Sequence, residues 1–363
     1  MKGSVIAMVK KILKILLILI LIVVILAAGL FAWLSIKEYK PADSLPLEIE
    51  VNEKAESSSP AVGDTISVLG WNIGYAGLGK DSDFFMDGGK EVAAADRDMV
   101  NTNLNGIYNT VFNGDRSYDI VMLQEVDTDS SRTYGIDETE MLGIMSSSTY
   151  ALNYSCPFVP FPLPPIGKVN SGILTTTSYS IESAKRLALP CPFSWPVSTA
   201  NLKRCLLVNY IPLKDSDKYL VVVDLHLEAY DSGEGKIQQT NQLRELISSE
   251  YEAGNYVIAG GDFNQIFPGG LERFPNEHED LWLPGFIEED IMPSDWTLAY
   301  DLGIPTCRLL NQPYEPSDKA NTQYYTIDGF ILSPNIQLNS VETLDEGFVY
   351  SDHNPVAISI TLK

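Results

Sequence analysis

The chain has 363 residues and a formal net charge of −23. Residues 1–40 hold six Lys and one Glu, which leaves 19 basic against 47 acidic residues beyond them, a net −28. A body this acidic lacks the Lys and Arg needed to grip a long polyanion, so composition argues against a salt-dependent nucleic-acid binder; a phosphate handled on such a protein calls for a cation.

Residues 15–34 carry no charge and are almost wholly Ile, Leu, Val and Ala, enough at about 1.5 Å per residue to cross roughly 30 Å of hydrocarbon. Lys2, Lys10, Lys11 and Lys14 precede this run, against Lys37, Glu38 and Lys40 after it, which places residues 1–14 in the cytoplasm and the remainder outside. Ala27-Ala28-Gly29 offers a cleavage-like site, but the apolar run continues through Phe31, Trp33 and Leu34, so an uncleaved single-pass anchor is the expectation. Residues 35–63, with Glu48, Glu50, Glu53, Glu56 and Ser57-Ser58-Ser59-Pro60, read as a polar tether to a domain over 64–363.

The domain opens with the alternating Thr65 to Asn72, followed by glycines. Helical spacing over 92–112 puts Met99, Leu104, Ile107 and Val111 on one face, and an apolar strand from Tyr118 to Leu123 closes on Gln124-Glu125. Further strands are predicted over 172–176, 205–210, 219–226, 256–262, 325–332 and 355–360, with a helix over 236–252. Strands outnumber helices and several follow one another directly, which predicts two mostly antiparallel or mixed sheets packed face to face with helices outside. The run Cys156 to Ile166 alternates five prolines with apolar residues, a stiff extended segment that either straps the core or offers a greasy edge to lipid. Cys156, Cys191, Cys205 and Cys307 have no CxxC spacing; a zinc site is not indicated, and pairing stays open, including Cys156 with Cys191.

Chemistry concentrates at predicted strand ends. Gly260-Gly261-Asp262-Phe263-Asn264 follows an apolar strand, the glycines reading as a sharp turn and Asp262 and Asn264 as a carboxylate and an amide on one side, suited to orienting a water and holding an oxyanion. His226 and His353, two of three histidines, also fall at strand ends beside carboxylates, and His353 is the natural general base if Asp328, at the end of a strand, orients its other nitrogen. Glu125, with the carbonyl oxygen of Asn72, offers hard oxygen ligands that suit Mg²⁺, or alternatively Mn²⁺ or Ca²⁺.

In order, Trp71-Asn72, Leu123-Gln124-Glu125, Leu225-His226-Leu227, Gly261-Asp262-Phe263-Asn264, Ile327-Asp328-Gly329-Phe330 and Ser351-Asp352-His353-Asn354-Pro355 resemble the endonuclease/exonuclease/phosphatase superfamily, nearer its deoxyribonuclease and neutral sphingomyelinase branches. The resemblance implies a deoxyribonuclease I-like, four-layer α/β/β/α sandwich with the site at one edge of both sheets. It makes Glu125 the principal metal ligand with Asn72 beside it, Asp262 and Asn264 the water-orienting and phosphate-holding pair, and His353, oriented by Asp328, the base. His226 becomes a phosphate or leaving-group contact and Asp352 a site carboxylate within reach of the metal. No carboxylate supporting His226 is identified; Lys168 and Arg132 are candidate phosphate clamps or plain surface charges.

The expectation is therefore a membrane-anchored, extracytoplasmic, Mg²⁺-dependent phosphoester hydrolase, acting on a lipid headgroup or small phosphoester through a His-activated water. A surface nuclease and a catalytically silent binding module are the rivals. Nothing in the sequence indicates oligomerisation, so a monomer is expected.

Overall fold

Period-two burial builds two sheets covered on both faces. In Thr65–Asn72, Leu69 and Trp71 point one way and Ile66 and Val68 the other; Ile120–Asp127 divides likewise into Val121 with Leu123 and Ile120 with Met122. The computed structural model describes residues 2–231, 233–278, 281–318 and 322–363, and it arranges their strands mainly in two seven-stranded sheets. The first runs Ile336–Thr343, Val356–Leu362, Thr65–Asn72, Ile120–Asp127, Gly167–Thr177, Ser147–Val159, Glu50–Val51. The second runs Ser44–Pro46, Ser183–Ala188, Cys205–Pro212, Tyr219–His226, Tyr256–Asp262, Asp328–Leu332, Thr297–Ala299.

Each sheet contains one parallel pair, and these pairs place the site. Thr65–Asn72 lies parallel to Ile120–Asp127, with the helix Arg97–Tyr108 in the connection; Tyr219–His226 lies parallel to Tyr256–Asp262, with the helix Glu234–Glu252 between. Asp96 caps the first helix by accepting from Met99 N at 2.8 Å. Its Val100, Leu104 and Ile107 cover Leu69, Trp71, Val121 and Leu123, while Leu243 and Ile247 of the second cover Val221, Val223 and Val257. The facing sides of the sheets close on each other through Val68, Met122, Val222, Ile258 and Phe330. The architecture is the four-layer α/β/β/α sandwich, with the carboxyl ends of both parallel pairs at one rim.

Buried polar groups bridge the sheets. Gln124 Nε2 donates to Asp224 Oδ1 at 2.7 Å, Thr175 Oγ1 to Asp224 Oδ2 at 3.2 Å, and Thr149 Oγ1 to Asn209 Oδ1 at 2.7 Å. Burial raises the Asp224 carboxyl well above the usual carboxylate range, against the pull of those donors. All four cysteines are free, with Cys156, Cys205 and Cys307 buried and Cys191 exposed.

The segment 35–63 differs from the tether its polarity predicts. Ser44–Pro46 pairs with Ser183–Ala188 and Glu50–Val51 with Ser147–Val159, so the segment supplies an edge strand to each sheet. Leu47 and Ile49 pack on the inter-sheet core between these strands, and that alternation supplies the apolar contact a free linker would lack. Among the described residues, one helix is long and apolar enough to cross a membrane, over Val5–Lys37. Its C-terminal end does not stand clear of the domain: Leu34 is buried against Tyr154, Cys156, Val159 and Val169.

Candidate active site

The two glycines before Asp262 are not a turn. Tyr256–Asp262 runs straight through them, and their lack of a side chain is a matter of space: a Cβ on Gly260 would lie 2.2 Å from Phe330 Cδ1, and one on Gly261, at φ +130°, 2.2 Å from Leu225 O. The strand can therefore lie close to both neighbours, in a register that sets Asp262 opposite both Asp328 and His226. Asp328 opens its strand rather than ending it; because that strand is antiparallel to Tyr256–Asp262, its first residue reaches the same rim. Asn264 lies beyond the strand at φ +49°, its N–H donating to Asp262 Oδ1 at 2.8 Å, so a local turn and not strand alternation brings the two together.

Across the rim, Glu125 sits at φ +55° where the pairing of Ile120–Asp127 with Gly167–Thr177 slips between Leu123 and Val126. A non-glycine residue held in the left-handed region inside a bulge re-aims its side chain, and Glu125 turns into the cleft. Asn72 Nδ2 reaches Glu125 Oε1 at 3.1 Å and Asp262 Oδ2 at 3.0 Å, joining the two sheets through one amide.

His353 Nδ1 is 2.9 Å from Asp328 Oδ2, and both side chains are buried. Its Nε2 faces Asp262 Oδ2 at 3.9 Å and Asp352 Oδ2 at 3.8 Å. Burial pulls the imidazole toward neutrality, but Asp328 and the other surrounding groups outweigh it and hold the pKa well above the usual histidine value. His226 is opposite in character: its Nε2 is 3.4 Å from Asp262 Oδ2 and 4.0 Å from Glu125 Oε1, while burial, with Arg204 behind it, drops its pKa well below the usual value. His226 Nδ1 is buried without a hydrogen-bond partner. A neutral ring with Nε2–H directed at Asp262 accounts for both facts, and it makes His226 a hydrogen-bond donor rather than an acid.

The rim carries more carboxylate than its fixed cations offset. Burial pushes Asp262 up to about 7, with Asp328 adding to the effect, and Asp352 up to about 7, with Glu125 adding. The nearby arginines are already engaged. Arg132 grips Asp127 with two bonds of 2.9 and 2.8 Å and stacks 3.6 Å over the Tyr75 ring, and Arg308 donates to Gly79 O at 2.8 Å. Glu125, Asp262 and Asp352 thus present hard carboxylate oxygens with surplus negative charge, and Asp262 gathers closely with Asp328 and His353, donors suited to a divalent cation. Asn72 does not supply the carbonyl oxygen the sequence suggests, because its Nδ2 faces the carboxylates and its Oδ1 accepts from Gly74 N at 3.0 Å. Cys307 lies near Asp352 and His353, but burial pushes its thiol up to about 12, so it adds no thiolate to this set. Lys168 pairs with Asp129 on the surface.

Several groups at this rim carry no sequence signal of their own. Arg204 Nε pairs with Glu228 at 3.2 Å while its Nη1 donates to His226 O at 3.2 Å, fixing the backbone that carries His226. Tyr230 OH donates to Asp87 Oδ1 at 2.9 Å, and burial pushes Asp87 up to about 6. A cavity of about 660 Å³ opens over the rim: Glu125, His226, Asp262 and His353 lie at its polar end, and Phe85, Phe161, Phe193 and Leu34 are among its apolar walls.

The profile of the endonuclease/exonuclease/phosphatase family matches residues 86–353, a stretch that includes Glu125, His226, Asp262, Asp328 and His353. The chain belongs to that family. Sphingomyelinase C of Bacillus cereus is 25% identical over a region covering 42% of this chain and 52% of that protein, so the chain spans about half the length of the curated relative it matches. Among solved structures, the endonuclease/exonuclease/phosphatase of Beutenbergia cavernae superposes with a TM-score of 0.51 at 16% identity, covering 82% of this chain and 72% of the other. The Bacteroides vulgatus protein of the same description gives 0.51 at 15%, covering 83% and 100%. The family fold is that of phosphoester hydrolases, and this chain has it with an N-terminal apolar helix added.

Proposed function

We propose that this chain is a membrane-anchored, extracytoplasmic phosphoester hydrolase that depends on Mg²⁺ or a similar divalent cation and acts on a phosphoester carrying an apolar portion, a lipid headgroup ester. The observation behind the substrate class is the cavity, whose polar end holds the carboxylate and histidine cluster while aromatic and aliphatic walls lead away from it. A nucleic acid would meet neither a basic groove nor a neutral surface on a body of net −28.

The chain's own residues divide the work. Asp328 accepts from His353 Nδ1–H and so leaves Nε2 to take a proton. The 3.9 Å between Nε2 and Asp262 Oδ2 admits a water hydrogen-bonded to both, aimed at phosphorus for in-line attack. Asn72 ties Glu125 to Asp262; His226 Nε2–H, 3.4 Å from Asp262 Oδ2, is placed to turn to a phosphoryl oxygen, and Asn264, with one amide hydrogen donated to Leu227 O at 2.9 Å, has its second to offer. A divalent cation held by Glu125 and Asp352, with Asn72 Nδ2 positioning Glu125, would offset the phosphate charge, polarise the P–O bond and relieve the negative field that keeps His353 protonated.

The test is incubation of the full chain in detergent with Mg²⁺ and, separately, sphingomyelin or phosphoinositide mixed micelles, a soluble sugar phosphate and plasmid DNA. Lipid headgroup release that disappears in His353→Ala supports the reading. Nicked plasmid beside untouched lipid would reverse it in favour of a surface nuclease.

A further inference from the structure

We propose that the mouth of the active-site cavity docks on the bilayer crossed by the chain's own helix, so that a lipid substrate enters sideways from the membrane without leaving it. The inference rests on the lipid reading above and adds where the substrate comes from and which surface receives it.

The anchor and the domain share an interface. Residues 15–34 form the uncharged run long enough to cross the hydrocarbon, yet Leu34, its last member, is only 1% exposed because Tyr154, Cys156, Val159 and Val169 cover it, with Leu30 and Ile166 alongside. Phe31 meets Trp195 edge to face at 6.3 Å, and Trp195 Nε1 donates to Ser35 Oγ at 2.9 Å. Just beyond the apolar run, Glu38 pairs with Lys203 and Lys40, each at 3.0 Å. One face of the outermost turn, carried by Leu30 and Leu34, is therefore packed into the domain, while Phe31 and Trp33 stay exposed. A free 35–63 tether could carry the domain up to roughly 100 Å from the bilayer at about 3.5 Å per residue; this contact allows no such separation.

The same face is apolar where a soluble surface would be polar. Leu163 is 87% exposed, Phe161 70%, Trp195 63% and Val197 55%, and they belong to the two loops that flank the docked helix end. Trp33 and Trp195 sit at the end of the span, the level at which tryptophan favours the membrane boundary. Phe31 and Leu34 of the helix, with Phe161 and Val197 of these loops, also line the cavity, so its apolar wall is continuous with the span. An acidic body gains nothing from anionic lipid, so apolar insertion, not charge, is what holds this rim to a bilayer.

The test uses the full chain reconstituted in phosphatidylcholine nanodiscs. In a Cys191→Ser background, which removes the exposed thiol, nitroxides are placed at Leu163→Cys and, on the opposite rim, at Asp217→Cys, and their depth is read by power saturation with oxygen against a water-soluble nickel chelate. The proposal expects the label at 163 in the acyl or interfacial region and the label at 217 in water; equal aqueous exposure at both overturns it. In a second arm, Leu163→Glu, which lies outside the cavity wall, should lower kcat/KM at least fivefold for a phosphoester resident in the bilayer and leave hydrolysis of soluble bis(p-nitrophenyl) phosphate within twofold. Equal effects on both substrates count against lateral entry. If the parent chain turns over no lipid, the substrate reading fails while the depth measurement still decides the docking.

Discussion

One aromatic ring holds the two sheets apart at the level of the site, and removing the space it needs is a sharp test of the packing. Phe330 lies beside Gly260 in its own sheet, with a Cβ there 2.2 Å from Cδ1, and against Gly70 of the other sheet, with a Cβ there 3.1 Å from Cζ. In Gly260→Ala the ring must retreat on the order of 1 Å to restore ordinary contact, and Gly70 stands behind it with little room. Overpacking of this kind costs about 1–3 kcal/mol, less about 0.4–1 kcal/mol returned by restricting the unfolded chain. Phe330→Ala alone should cost about 3–5 kcal/mol, but it empties the space the new methyl needs. In that background the new Cβ still meets Gly329 O at 2.9 Å, so Gly260→Ala keeps a residual cost, but one smaller by about 1 kcal/mol or more than with the ring present. The assay is guanidinium unfolding of the full chain in detergent, followed by near-ultraviolet circular dichroism for the two single variants and the double. Gly260→Ala also moves the strand two residues before Asp262, so its kcat should fall by roughly tenfold, since small misplacements at a reacting centre are costly. An equal stability cost for Gly260→Ala with Phe330 present or absent would refute the argument.

Asp328→Asn leaves His353 packed but removes the carboxylate 2.9 Å from its Nδ1; kcat should fall by about 10²–10⁴ with KM changed little, and a kcat within threefold of the parent would remove Asp328 from the mechanism. Glu125→Gln should raise the Mg²⁺ concentration for half-maximal activity at least tenfold after chelation and add-back, and an unchanged metal titration would exclude Glu125 as a ligand. Asp224 gives a pH effect on stability. Burial raises its folded pKa above the unfolded one, so the protein is favoured while both states are protonated and loses stability as pH climbs above about 4 toward the folded value, at up to about 1.4 kcal/mol per pH unit. Thermal unfolding at pH 5 and pH 8 should therefore show Asp224→Asn gaining on the parent at the higher pH, and a constant difference would rule this out.

Most of the site was legible because its residues stand beside strands with strong alternation, where a carboxylate or histidine after an apolar run has few structural uses. Asn72, His226 and Asp262 each close a strand at the residue the pattern indicates. Three strands carry no clear sequence signature. Ser147–Val159 contains Pro157 and is covered on both faces, so no clean alternation marks it, and Ile336–Thr343 is an edge strand with a slipped pairing at Leu338. Ser183–Ala188 carries Lys185 and Arg186, and the buried guanidinium of Arg186 donates to Leu152 O at 2.9 Å, a use of charge in a strand that composition alone hides. The pair Gly260-Gly261 suggests a turn because glycine is common there, whereas its reason lies in Phe330 and Leu225, distant in sequence. The edge strands of 44–51 were present as the alternation Leu45, Leu47, Ile49, Val51, masked by the acidic residues between them.

The strand Val356–Leu362 lies between Ile336–Thr343 and Thr65–Asn72, and His353 just before it is held to the start of the fold by Trp71 Nε1, which donates to His353 O at 2.8 Å. A polypeptide still emerging from the ribosome cannot close this sheet until the strand Val356–Leu362 is free. His353, the proposed general base, is made after Asn72, Glu125, His226, Asp262 and Asp328, so synthesis order keeps a chain that has not yet reached it from using that base.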